Sequence, residues 1–361
     1  MLVCPLDWGL GHATRCLPVI NVLLRNGCRV VVAADGKPFD FLYGELSEKV
    51  EFRRFGGEPV KYPVHGSMLA KLAIQIPGFL RSICIEHKKL ITLISKTGAS
   101  VVISDNRYGL WNKKTRTVFI THQLNIQIPT PLRFLQPFTR WVVRKLAQRY
   151  DFCWVPDAPL APGLSGNLSH LKPPGNVRYV GILSRFSQLK ESDFTNPLPK
   201  SFPDNFFCAI ISGPEPQRSI FEEIISNQFE RSGLPAVLVL GNPEKKNIER
   251  KNNLIKFSHL ASCQLAWLLK HARLVVCRPG YSGLMDLSVF GQKAILIPTP
   301  GQTEQEYLGQ VLHAKQMAFC VRQGDFDLKK HLPLAEFLQG IRIEPNHQLL
   351  NQAVDELFSG L

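Results

Sequence analysis

The sequence predicts two doubly wound α/β domains, each with a parallel sheet, facing each other across a cleft. Three observations carry this. The chain has 361 residues, about twice a common domain size, and 45% of them are hydrophobic, enough for two packed cores. Its start reads as strand, glycine-rich turn, helix and strand. From residue 206 onward, short apolar runs again alternate with helix-like segments, the pattern that gives parallel sheets.

The opening unit comprises an apolar run over 2–6, a helix near 13–25 stopped by Gly27, and a second apolar run over 28–34. Buried-strand runs follow at 100–104, 117–120 and 152–155, each ended by polar, glycine or proline residues. A run at 176–180 closes a first domain over 1–183. Residues 184–205 hold Pro197, Pro199 and Pro203 without periodicity and read as a linker. A second domain over 206–361 has strand runs at 206–211, 236–240, 253–257, 274–277 and 294–297, with a last helix able to pack back on the first domain. No 20–50-residue period repeats, so a solenoid is excluded. Both domains read as Rossmann-like.

No apolar run is long enough to span a bilayer, since the best early one, 17–24, stops at Arg25. The expectation is a cytoplasmic chain able to sit on the inner face of the cell membrane. Nine cysteines form no Cys-x-x-Cys pair and no metal-spaced cluster, so neither a disulfide framework nor a metal is expected. Charge divides unevenly: residues 1–180 hold 24 Lys and Arg against 11 Asp and Glu, while the remainder is nearly balanced at 19 against 18. Such a basic half can face nucleic acid, an anionic membrane or an acidic substrate. No basic-aromatic nucleic-acid motif accompanies it, so no nucleic acid is expected.

The turn Asp7-Trp8-Gly9-Leu10-Gly11-His12-Ala13-Thr14-Arg15 joins the first strand to the first helix, where glycines and free helix N–H groups suit an anion. Thr14 stands where a dinucleotide fingerprint has its third glycine, although Asp35 keeps an NAD-dependent oxidoreductase open as an alternative. His12, above the carboxyl end of the sheet, can take a proton near neutral pH or simply cap the helix. Asp105, ending the 100–104 run, is its candidate acidic partner.

Three segments at strand ends of the second domain suit a nucleotide diphosphate. Ser212-Gly213-Pro214-Glu215-Pro216-Gln217-Arg218 offers backbone N–H groups, Gln217 and Arg218. Arg278-Pro279-Gly280-Tyr281-Ser282-Gly283-Leu284-Met285-Asp286 opens a helix with Gly280, Ser282 and Gly283 and carries Asp286 toward ribose hydroxyls. The third puts Gln305 and Glu306 at a helix start.

In order and spacing these segments resemble the C-terminal domain of glycosyltransferase family 28, whose best-known member adds N-acetylglucosamine to the peptidoglycan lipid precursor. The resemblance implies the GT-B arrangement of two Rossmann-like domains. It implies ribose binding by Asp286, where the family usually has Glu. Donor-sugar contacts fall to Gln305 and to Glu306, where a second Gln is common. Phe257 and Ser258 map onto the uracil-binding backbone. On the acceptor side it is looser, through Gly9, Gly11 and His12 and through Thr121-His122-Gln123-Leu124-Asn125, which is similar to a His-Glu-Gln-Asn loop. Arg15, Arg107, His122 and Asn125 are then acceptor candidates. Asp105-Asn106-Arg107-Tyr108-Gly109 replaces the family's second glycine-rich turn.

Carried over, the reaction is inverting transfer of a sugar, an N-acetylhexosamine, from a UDP-sugar to a hydroxyl of a lipid-linked or other anionic acceptor, with His12 as base and no metal or other cofactor. A UDP-sugar epimerase of the same fold is a further alternative. Residues 133–149 place Phe134, Phe138, Trp141, Val142 and Leu146 near helical spacing among five basic residues, which suits either a core-packing helix or one lying on an anionic membrane.

Overall fold

A computed structural model describes residues 1–57, 68–245, 247–343 and 346–359. The chain forms two compact units, Met1–Leu183 with Pro345–Leu361, and Ser184–Glu344.

Among the described residues of unit 1, strands β1 (Leu2–Cys4), β2 (Val31–Ala34), β3 (Glu51–Arg54), β4 (Val101–Asp105), β5 (Arg116–Ile120), β6 (Phe152–Val155) and β7 (Val177–Tyr179) pair in parallel in the order β3-β2-β1-β4-β5-β6-β7. The inner strands carry uninterrupted apolar stretches because helices cover both faces of a parallel sheet, and Leu2, Val3, Cys4 and Val101 to Ile103 are fully buried. Helices α1 (Leu10–Arg25), α2 (Gly36–Leu46), α3 (Met68–Thr97) and α4 (Gln136–Ala147) connect them. Strand order reverses at β1 and β4, and the carboxyl ends there are where a crevice opens in doubly wound sheets.

Unit 2 repeats the scheme with β8 (Phe207–Ile210), β9 (Ala236–Val239), β10 (Ile248–Lys251), β11 (Leu254–Phe257), β12 (Val275–Cys277), β13 (Ala294–Leu296) and β14 (Phe319–Cys320), ordered β10-β11-β9-β8-β12-β13-β14. All neighbours are parallel except β10, which runs antiparallel to β11. The helices are α5 (Gln217–Ser232), α6 (Ser262–His271), α7 (Tyr281–Phe290), α8 (Thr303–Ala314) and α9 (Leu328–Glu336). Phe221, Phe229, Leu238, Val276, Ile295 and Leu328 belong to its core. Here the order reverses at β8 and β12.

Two boundaries differ from a simple division of the chain. Residues 184–205, expected as a linker, lie within unit 2: Phe186 is buried with its ring 5.4 Å from that of Phe290, and Ser184 donates a hydrogen bond to Asp286. Prolines mark irregular backbone there, but one buried aromatic suffices to dock it. The last helix, α10 (His347–Phe358), belongs to unit 1, where Glu356 pairs with Arg178 of β7 through hydrogen bonds of 2.8 and 2.6 Å.

Candidate functional site

In unit 1 the chain leaves β1 and enters α1 through Gly9, the N-cap, at φ 156° and ψ 170°, a conformation open essentially to glycine. The N-cap residue offers no side chain to cap α1. Thr14 donates its hydroxyl to the Gly11 carbonyl at 3.1 Å, using the position where a dinucleotide site needs glycine. Asp35 caps α2 by accepting from the Gly36 N–H and pairs with Arg54, both at 2.9 Å. The residue that kept a dinucleotide reading open is thus engaged in holding its own turn.

His12 sits in the first turn of α1 with its side chain 19% exposed, and its Nδ1 lies 2.9 Å from Oδ2 of Asp105, the fully buried last residue of β4. A carboxylate only accepts, so Nδ1 carries the proton and the Nε2 lone pair is free to act as a base. Nε2 makes no hydrogen bond among the described residues. Arg15, one turn later, donates to Asp105 Oδ1 from Nε at 2.8 Å and also from Nη2. Burial opposes the charge on Asp105, but Arg15 and His12 together hold its carboxyl below the ordinary range. Burial lowers the His12 pKa, Arg15 lowers it further, and Asp105 pulls the other way. The net direction is down, which leaves a neutral imidazole at neutral pH.

The acceptor candidates do not all face this crevice. The Arg107 guanidinium is buried: Nε donates to Glu86 Oε1 at 3.1 Å, Nη1 to the Phe55 carbonyl at 3.0 Å, and Nη1 lies 3.5 Å from Asp7 Oδ1. It holds elements together. Asn125 is likewise engaged, donating to the Asn167 carbonyl and accepting from Gln136 at 2.7 Å and Arg140 at 3.0 Å. His122 is buried beside Arg15, with 3.3 Å between its Nδ1 and Arg15 Nη1. Glu86, from α3, was not foreseen, since nothing in its local sequence marks it.

At the carboxyl ends of β8, β12 and β13 in unit 2, helices α7 and α8 begin without a side-chain cap, whereas at the start of α5 Glu215 accepts from the Ser219 N–H at 3.2 Å. A Cβ built on Gly213, Gly280 or Gly283 would meet nothing within 4 Å, so open space lies over these turns. Ser212 is exposed before Gly213, and Ser282 stands in the first turn of α7. Gln217 Oε1, Arg278 Nε, Thr299 Oγ1 and Gln302 Oε1 are buried without a hydrogen-bond partner. Each such atom costs about 1–3 kcal/mol unless something satisfies it.

Several expected donor ligands also make contacts within the scaffold. Arg278 is buried over the Phe221 ring at 4.0 Å and donates to the carbonyls of Ile297 at 2.9 Å and Pro298 at 3.0 Å, and burial lowers its pKa to about 10. It therefore rivets the loops, while its Nε is left without a hydrogen-bond partner. Arg218 is held by Glu215 at 2.6 Å and Glu222 at 2.9 Å. Phe257 is core, and both main-chain groups of Ser258 are used by the 242–247 loop, its N–H donating to Asn247 at 3.0 Å and its carbonyl accepting from Asn242 at 2.8 Å. Gln305 Oε1 accepts from the Thr299 N–H at 2.8 Å and Glu306 Oε1 from the Gly301 N–H at 3.1 Å, bracing the loop before α8. Asp286 accepts from Ser184 Oγ at 2.7 Å and Arg185 Nε at 3.3 Å. Burial raises its pKa, with Arg185 and Ser184 pulling it back. Ser184 and Arg185 were missed because they fall in the supposed linker.

Residues 227–352 match the family model described as the glycosyltransferase family 28 C-terminal domain. An uncharacterized glycosyltransferase of Methanosarcina acetivorans is 23% identical over 318 residues, covering 82% of this chain and 79% of that protein. The UDP-N-acetylglucosamine–N-acetylmuramyl-(pentapeptide) pyrophosphoryl-undecaprenol N-acetylglucosamine transferase of a Methylobacterium species is 30% identical over 144 residues, 36% of this chain and 38% of its own. The crystal structure of Acinetobacter baumannii MurG superposes with a TM-score of 0.56 at 13% identity, over 99% of both chains. The chain is a family-28-like GT-B glycosyltransferase. The Arabidopsis thaliana UGT89C1 structure with UDP shares the fold of this glycosyltransferase, with a TM-score of 0.64 at 13% identity over 99% and 98% of the two chains.

This glycosyltransferase also carries an aromatic surface on unit 1. Helix α4 turns Val143 and Ala147 inward, while Phe134, Phe138 and Trp141 stand 74, 62 and 57% exposed among exposed Arg133, Lys145 and Arg149. Of the stripe that suited either a core or a membrane, these three aromatics face outward, whereas Leu146 packs against the core. Large exposed aromatics grouped this way mark an interaction surface.

Proposed function

We propose that this glycosyltransferase moves a hexosyl group, an N-acetylhexosamine, from a UDP-sugar bound by unit 2 to a hydroxyl of a lipid-linked or phosphorylated acceptor bound by unit 1, with inversion at the anomeric carbon. The observation that carries the reading is the His12–Asp105 pair at the start of α1. His12 Nε2 takes the acceptor hydroxyl proton as that oxygen bonds to the anomeric carbon. The bond from that carbon to the diphosphate breaks, and its electron pair leaves with UDP. The start of α7, which no side chain caps, and the unpartnered polar atoms on the neighbouring loops suit the diphosphate. The Methylobacterium relative is named for a UDP-sugar donor and the Arabidopsis structure is a complex with UDP, which favours a uridine donor.

UDP is expected to raise the unfolding temperature of the chain more than GDP or TDP, since a ligand of the folded state stabilises it by mass action. Asp286→Ala is expected to weaken UDP by roughly 1–3 kcal/mol if its carboxylate accepts from ribose hydroxyls as well as from Ser184. Calorimetry on a folded variant decides this, and unchanged affinity would remove Asp286 from the ribose site.

No helix among the described residues is long and apolar enough to cross a membrane. The α4 surface is proposed instead to lie on an anionic membrane, with the aromatic rings among the lipids and Arg133, Lys145 and Arg149 contributing about 1 kcal/mol each. Replacing Phe138 and Trp141 together by Ser is expected to cut co-sedimentation with anionic vesicles by at least about tenfold, because each ring buries roughly 1.5–3 kcal/mol of apolar surface. Salt should weaken binding of the unaltered chain. Equal failure to bind anionic and neutral vesicles would instead favour a soluble phosphorylated acceptor.

A further inference from the structure

We infer that Arg15 is a positioning residue that keeps His12 uncharged while Asp105 orients it, and is not an acceptor ligand; the inference rests on the reading of His12 as the base. Arg15 follows His12 by three residues, so both side chains leave one face of α1 toward the end of β4. There they divide a single carboxylate. Oδ2 receives His12 Nδ1 at 2.9 Å, and Oδ1 receives Arg15 Nε at 2.8 Å together with Nη2. Arg15 and Asp105 are 1% and 0% exposed, so the pair is little screened by solvent.

The division has a chemical consequence. An unpaired buried carboxylate next to an imidazole favours imidazolium, and imidazolium has no lone pair with which to take an acceptor proton. Arg15 already balances Asp105, so a proton on His12 would add an uncompensated positive charge. Arg15 Nη2 also lies 2.9 Å from His12 Nδ1. A guanidinium this close repels a positively charged ring. The guanidinium is further fixed by His122, whose Nδ1 is 3.3 Å from Nη1. The groups facing His12 are therefore Arg15 from α1, Asp105 from β4, His122 from the loop after β5 and Asp7 from the loop after β1. Of these, Arg15 and Asp105 make the close polar contacts with the ring, and they act in opposite directions.

The test is the titration of His12 followed by nitrogen NMR of the full chain. The unaltered protein is expected to titrate below the ordinary histidine value of about 6.5. Arg15→Lys, which keeps the charge, should stay near it, and Arg15→Met should move His12 upward by about 1–3 pH units. A folded Arg15→Met chain with an unmoved His12 overturns the inference. Arg15→Met leaves Asp105 with one partner and can fail to fold, so Asp105→Asn is compared with Asp105→Asn/Arg15→Met, where no carboxylate is stranded. An upward shift from the single to the double variant supports the inference, and equal midpoints overturn it. The pH dependence of UDP release from UDP-N-acetylglucosamine separates the underlying reading. An acid limb that follows the NMR midpoint supports both assignments. A midpoint that moves while the rate limb stays supports the role of Arg15 and removes His12 as the base.

Discussion

His12→Ala is expected to lower the transfer rate by roughly 10²–10⁴-fold, the usual contribution of a positioned general base, while leaving UDP affinity unchanged. The two effects separate because His12 belongs to unit 1 and the nucleotide reading concerns unit 2. Steady-state rates at saturating donor, with calorimetry of UDP on the same variant, measure both. The loss should fall on turnover rather than on donor binding, since the imidazole is needed only when the acceptor proton moves. The pH profile carries a second signature. Burial and Arg15 set the His12 pKa below the ordinary value, against the pull of Asp105. The neutral base is therefore present at pH 7 and is lost only as pH falls through that lowered value. The acid limb should accordingly lie below about 6.5. A folded His12→Ala chain with near-normal turnover would remove His12 from the mechanism.

How much of this was legible in the sequence depended on what a residue type and its place can specify. The buried strands were readable because parallel strands covered on both faces are apolar without interruption, as at Val101 to Ile103. Edge strands lack that signal. Strand β10, Ile-Glu-Arg-Lys, is exposed at every position and reads as a polar loop. The His12–Asp105 pair was foreseeable because strand ends and helix starts meet at the reversal of strand order, and both residues sit there. Long side chains were harder to read. Arg107 and Arg278 follow strand ends where a phosphate ligand belongs, yet their guanidinium groups reach a carboxylate and carbonyls from other elements of their own units, whereas Arg218 is held locally by Glu215 and Glu222. Position along the chain fixes where an arginine starts, but the partner is set by elements far away in sequence, such as Glu86 for Arg107. Asn125 fails for the same reason, because its partners Gln136 and Arg140 come from the start of α4.

Arg107→Met is expected to destabilise the chain by about 3–5 kcal/mol at neutral pH, the range for breaking a buried ion pair on one side. Arg107 faces two carboxylates, with Nη2 2.9 Å from Glu86 and Nη1 3.5 Å from Asp7, and its guanidinium lies 4.5 Å from the centre of the Phe55 ring. Methionine can keep the packing on Phe55 but supplies no positive charge. Burial already pushes Glu86 and Asp7 above the ordinary carboxylate range, with Arg107 opposing it, so its removal raises both further. A carboxyl whose folded pKa exceeds its unfolded pKa binds more protons in the folded state. Its stabilising contribution is complete in acid and is lost as pH rises through the folded value. The deficit of Arg107→Met should therefore be small in acid and grow toward neutrality, as read from urea unfolding across that range. Asp7 also accepts from the Gly57 N–H at 2.5 Å, so loss of Arg107 should loosen the loop just before the glycine turn and lower turnover of the folded fraction secondarily. A variant as stable as the unaltered chain at pH 7, with a selectively raised acceptor KM, would return Arg107 to the acceptor site.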